Sequence, residues 1–149
     1  MKKIVLTGGL IVSLAACSSA QKNEPKKEKQ DAAIPAVVEA AFKKHYPNIT
    51  DADWEKEAAN YEVSFEVNKA ETSVVIDPSG QILETETEVA MNTLPQNIRD
   101  YVAVHYKGQN IKEAAKIVLA DGSVQYEAEV GKKDLIFDTN GTFIKEIGH

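Results

Sequence analysis

The chain has 149 residues, one cysteine and a formal net charge of −6. With a single cysteine no disulfide framework can form within the monomer, so packing alone must stabilise the fold. The acidic balance excludes phosphate-dominated nucleic-acid binding, which needs a basic surface.

The chain opens on Lys2 and Lys3, followed by an apolar run from Ile4 to Ala16 interrupted by Gly8 and Gly9. A bilayer-spanning helix needs about twenty apolar residues, so this shorter run predicts an export signal over residues 1–16. It ends in Leu14-Ala15-Ala16-Cys17. That tetrapeptide resembles the lipobox of bacterial lipoprotein signal peptides. The resemblance implies cleavage before Cys17 and acyl chains on its sulfur, which would hold the protein to a membrane and account for an otherwise unexplained lone thiol. One chain alone anchors only marginally; lipoproteins carry two or three. Ser18, where an inner-membrane retention signal would place Asp, favours the outer membrane, with the domain facing the periplasm or the cell surface. Residues 17–33 hold the acylated cysteine and then no Leu, Ile, Val or aromatic residue. They read as a hydrated tether.

Residues 34–149 are enough for one domain with a core, and they repeat. Ile34-Pro35 is echoed by Leu94-Pro95, and His45-Tyr46 by His105-Tyr106, both sixty positions on. Asp77-Pro78-Ser79-Gly80 is echoed by Asp138-Thr139-Asn140-Gly141, and Tyr61–Val67 by Val124–Val130. The units run over about 34–93 and 94–149.

Each unit opens on a helix. Ile34, Val37, Val38, Ala41, Phe42, His45 and Tyr46 share one face at helical spacing, and Leu94, Asn97, Ile98, Tyr101, Val102, His105 and Tyr106 share the equivalent face. Pro35 and Pro95 suit a first turn. Pro47 ends the first helix and Gly108 the second. Period-two alternation follows: Tyr61, Val63, Phe65 and Val67 against Glu62, Ser64 and Glu66; Val124, Tyr126, Ala128 and Val130 against Gln125, Glu127 and Glu129. The pattern predicts four strands per unit, with one buried and one wet face. They cover about 51–58, 60–68, 71–77 and 81–89, then 111–119, 122–131, 133–138 and 142–148. Asp77–Gly80, Asp121-Gly122 and Asp138–Gly141 are the expected turns. The fold class is α+β: two αββββ repeats forming one antiparallel eight-stranded sheet with two helices packed on one face.

This order of elements carries a second resemblance. A helix opened by Ile/Leu-Pro and closed by His-Tyr leads into the Trp-bearing strand Asp53-Trp54-Glu55. A Tyr-x-Val-x-Phe strand and an Asp-x-x-Gly hairpin follow, and the helix restarts at Leu94-Pro95. Residues 34–149 resemble the tandem PepSY-like domains of bacterial envelope proteins, similar in fold to the β-lactamase inhibitory protein. The resemblance implies a binding module rather than an enzyme, taking a protein or peptide partner and in some relatives inhibiting or regulating a peptidase. It brings no catalytic residues and no cofactor. The chain lacks the two disulfides of the β-lactamase inhibitory protein and any obvious aromatic-rich loop, which argues against β-lactamase as the target.

Charge separates the units. Residues 34–93 carry four Lys against twelve Asp/Glu; residues 94–149 carry seven Lys/Arg against eight. Glu62 and Glu66 lie on a polar strand face, and Glu84, Glu86 and Glu88 share a face by the two-residue period. These five are the candidate partner-binding residues. Like charges on adjacent strands repel, so a cationic partner would relieve them. Alternatives are sequestration of cations or a small ligand by the same face, or a solvated acidic surface that keeps the protein soluble. His45 and His105 recur because the unit recurs and read as capping and packing, since a zinc site wants four ligands. Asp138–Gly141 is not an EF-hand: its Gly stands at position four and His149 at position twelve. Trp54 reads as a core residue of the first strand, with a partner hot spot as the alternative.

Overall fold

The computed structural model describes residues 33–148; the expected export signal, Cys17 and the expected tether up to residue 32 lie outside the described residues. The elements are α1 (Ala36–His45), β1 (Asp53–Glu57), β2 (Asn60–Val67), β3 (Ala70–Ile76) and β4 (Ile82–Glu88), then α2 (Gln96–His105), β5 (Ile111–Leu119), β6 (Val124–Val130), β7 (Lys133–Asp138) and β8 (Phe143–Gly148). A single 3-10 turn, Met91–Thr93, leads into α2. The eight strands form one antiparallel sheet in chain order, β1 to β8. The two halves join through β4 and β5, where Glu86 pairs with Ile117 and Glu88 with Ala115.

Both helices lie on the same side. Val38 and Phe42 of α1 pack on Val63, Phe65, Val74 and Ile76. Ile98 and Val102 of α2 pack on Ala114, Ala128, Leu135 and Phe137. Strand register carries that face across the junction, from Val74 to Thr85 to Val118. Aromatic contacts close the first core: the Phe42 ring meets Trp54 at 5.4 Å and Phe65 at 5.2 Å, both edge-on. Trp54 therefore sits under α1, as its place in the alternation requires.

The helical stripe is narrower than the seven-residue face. Val37 is 48 % exposed, and Asn97, His45 and His105 are exposed too. Ten-residue helices on a twisted sheet bury only the central i, i+4 pair fully, Val38 with Phe42 and Ile98 with Val102. The outer positions serve the hairpins instead. An added Cβ at Gly80 would lie 3.1 Å from Val37 Cγ2, and Asn97 hydrogen-bonds to the carbonyl of Asn140.

The hairpins repeat in chemistry. Asp77 Oδ1 accepts the backbone N–H of Ser79 (2.8 Å) and of Gln81 (2.9 Å). Asp138 Oδ1 accepts those of Asn140 and Thr142, both at 2.8 Å. Gly80 and Gly141 take the left-handed conformation that closes each loop (φ 88° and 75°). Just beyond each turn the register slips at the same place, between Val75 and Ile76 and between Ile136 and Phe137. Bulges increase local twist and bend the strand that carries them, so the curl of the sheet is encoded twice.

Candidate functional site

The face without helices is set by register. One row runs Glu55–Glu62–Val75–Glu84–Leu119, and the next Asp53–Ser64–Ser73–Glu86–Ile117–Gln125. A third runs Glu88–Ala115–Glu127–Ile136–Lys145. Glu55 pairs directly with Glu62, and Glu66 with Glu71. Such like-charged pairs are destabilising in a sheet.

The sheet curls around this face and leaves a cleft of about 350 Å3, reaching from β1 to β6. Every ionisable group that lines it is a carboxylate. Glu62, Glu66, Glu86 and Glu88, four of the five candidate residues, line it together. Glu84 shares their face but not the cleft; it lies half-buried, its carboxyl raised by burial first and then by Glu57, and lowered by Lys145. Six further carboxylates join the lining: Asp51, Asp53, Glu55, Glu71, Glu113 and Glu127.

Depth divides these groups. Glu86 is 7 % exposed and Glu127 only 2 %. Glu127 Oε2 is buried with no hydrogen-bond partner. Desolvation is the largest influence on both carboxyls. It acts on Glu86 together with Glu84 and Glu62, and pushes it up to about 8. It acts on Glu127 together with Glu86 and Asp134, and pushes it up to about 9. At neutral pH both are therefore mostly protonated. The rim is anionic and the floor is neutral but ready to ionise.

Net charge does not single out Glu127, because the second unit carries seven Lys/Arg against eight Asp/Glu. Its signal was present in the repeat: it occupies the place of Ser64, so a short polar side chain in one copy is a long acidic one in the other. Ala115 beside it leaves the room.

His45 and His105 close α1 and α2 on the opposite side of the sheet, and His105 stacks on Tyr101 at 4.2 Å. Among the described residues, no group of three or more His, Cys, Asp or Glu side chains is arranged to hold a metal ion. No described helix is long and apolar enough to cross a membrane.

Residues 22–84 and 59–145 match the family described as "Putative beta-lactamase-inhibitor-like, PepSY-like". The chain belongs to this family. The two overlapping matches follow the tandem architecture. Among solved structures, the chain is similar to a "putative periplasmic protein" of Bacteroides eggerthii, at 19% identity and a TM-score of 0.69, over 76% of this chain and 88% of that one. It is also similar to a BLIP-like protein of Bacteroides fragilis, at 24% identity and a TM-score of 0.62, over 76% and 85%. At these identities the likeness is one of fold. No curated protein matches. Among the described residues of this PepSY-like chain, both helices cover one face of the sheet and none covers the other.

Proposed function

We propose that this PepSY-like chain is a non-catalytic envelope lipoprotein that receives a protein or peptide partner on its helix-free face. The observation that carries the reading is the cleft itself: a concave, carboxylate-lined surface on a sheet whose other side is closed by both helices. Interfaces match potentials across the contact, so an acidic concavity suits a cationic surface. The family likeness suggests that the partner is a peptidase whose activity is inhibited or regulated. The lipobox at Leu14–Cys17 and the periplasmic description of the Bacteroides eggerthii relative support an exported, acyl-anchored location, with the outer membrane favoured by Ser18.

Charge reversal tests it. A full-length chain carrying Glu62→Lys, Glu66→Lys and Glu88→Lys should capture far less of its partner from envelope extract. The wild-type capture should weaken with added salt, because exposed charges are screened beyond about 8–10 Å. Equal capture by the reversed chain rejects this face.

Cation sequestration is the second reading, favoured by the directly paired Glu55–Glu62 and Glu66–Glu71. A calorimetric titration with calcium chloride that gives no heat at millimolar concentration rejects it.

A further inference from the structure

We propose that the cleft accepts a basic side chain, lysine or arginine, carried on an extended peptide segment, with Glu127 as its buried anchor and Glu86 as the second carboxylate. This deepens the binding-module reading and rests on it. The first observation is Glu127 itself: 2 % exposed, lining the cleft, with Oε2 lacking a hydrogen-bond partner. Native structures rarely leave such a group unsatisfied, and an exception needs an explanation, which a ligand with donors supplies. An ammonium or guanidinium brings three or five donors and no acceptor, which is what the ionised, acceptor-only form of Glu127 needs.

The second observation is electrostatic and independent of it. The lining contains carboxylates and serines but no cation of its own. Ala115, between Glu88 and Glu127 in register, is small enough to leave a passage to the floor and apolar enough to lie against an aliphatic stem. The cavity, about 350 Å3, is at the lower end of ligand-pocket sizes. It suits a side chain better than a folded domain. The rim around it suits the backbone that carries that side chain. The described carboxylates are not grouped as ligands for a metal ion.

Occupancy changes protonation. Glu84 and Glu86 on β4, Asp134 on β7 and Glu129 on its own strand all face Glu127 and resist its ionisation. Glu62 on β2 and Glu71 on β3 add to the field at Glu86. Lys112 is held by Glu129 at 3.1 Å, and Lys145 acts through its charge on Glu84. A guest cation reverses this balance and ionises the floor. Binding near neutral pH therefore expels protons and tightens as pH rises from 6 to 9.

The experiment is calorimetric titration of the full acylated chain, in non-ionic detergent, with a capped Gly-Arg-Gly-Arg-Gly peptide. The expected result is saturable binding whose heat at pH 7 changes with the ionisation enthalpy of the buffer. Glu127→Gln and, separately, Glu86→Gln should weaken it by about thirty-fold or more, the effect of truncating one partner of a buried charge pair. Both are near-isosteric with the protonated acid, so the fold is kept. Glu39→Gln, half-buried on α1 and on the other side of the sheet, should change nothing. Unchanged affinity in both Gln variants, absence of proton release, or the same Glu127-dependent heat from calcium chloride overturns the proposal. If the peptide fails while envelope capture still depends on Glu62, Glu66 and Glu88, the anchor is wrong and the acidic face stands. If reversal at those three changes neither capture nor peptide binding, the face itself is wrong.

Discussion

The side-chain amide of Asn97 donates to the backbone carbonyl of Asn140, stitching α2 to the β7–β8 hairpin. Val37 holds the matching place on α1 and rests against Gly80, so one duplicated contact is polar in one half and apolar in the other.

An added methyl at Gly141 would overlap the Asn97 amide, in a residue already at φ 75°. Gly141→Ala should therefore cost about 1–2 kcal/mol for the left-handed backbone and about 1 kcal/mol more for the displaced hydrogen bond. Gly122→Ala is the control: φ is 80° and nothing lies within 4 Å, so only the first cost applies. Chemical denaturation should show the excess, and Asn97→Ala should remove the difference between the two glycine sites.

The first core depends on Phe42, whose ring touches Tyr46, Trp54 and Phe65. Phe42→Ala should destabilise by about 3–5 kcal/mol. Val37→Ala, five residues earlier on the same helix, should cost under about 1 kcal/mol because half of that side chain is already in water. Tryptophan emission from Trp54 should redden in the first variant and not in the second.

Stability should also fall with rising pH. Glu86 and Glu127 bind their protons more tightly in the folded chain, at about 8 and about 9, than in the unfolded chain near 4.5. Between those limits the folded state holds more protons, so each step upward in pH favours unfolding. Their contribution is fully present below pH 4.5 and is lost through about 8 and 9. Asp77, Asp121 and Asp138 act oppositely: their hydrogen bonds hold the carboxyls below 3.8, so their contribution is lost as pH falls through the folded values. The urea midpoint should peak at mildly acidic pH, and Glu127→Gln should flatten the alkaline limb. Each unit of upward displacement is worth about 1.4 kcal/mol, so a flat limb in the wild type would contradict the buried, protonated floor.

Cell fractionation checks the anchor. Cys17→Ser should move the protein from the membrane to the soluble fraction, since the sulfur is the only thiol available for acylation. Retention at the membrane would refute lipid attachment there.

The strands and their faces were legible in the sequence because period two is written directly in Tyr61–Val67 and Val124–Val130. Turn chemistry was equally plain: Asp77 and Asp138 each cap their loop through one carboxylate oxygen. Helix faces were over-read at Val37 and Asn97, since spacing marks a stripe but not how wide a neighbouring sheet can cover it. Depth was not legible on the acidic face. Glu62 and Glu86 alternate identically along their strands, yet only Glu86 is buried, because burial depends on how far the bulged strands curl around each position. Net charge per unit pointed to the first half and so passed over Glu127, whose surroundings are set by β4 and β7 rather than by its own segment.

The described chain enters the domain just ahead of α1, on the helix layer. Ile34 rests against the core under that helix. Anything joined ahead of residue 33 therefore meets the domain on the side away from the carboxylate-lined cleft.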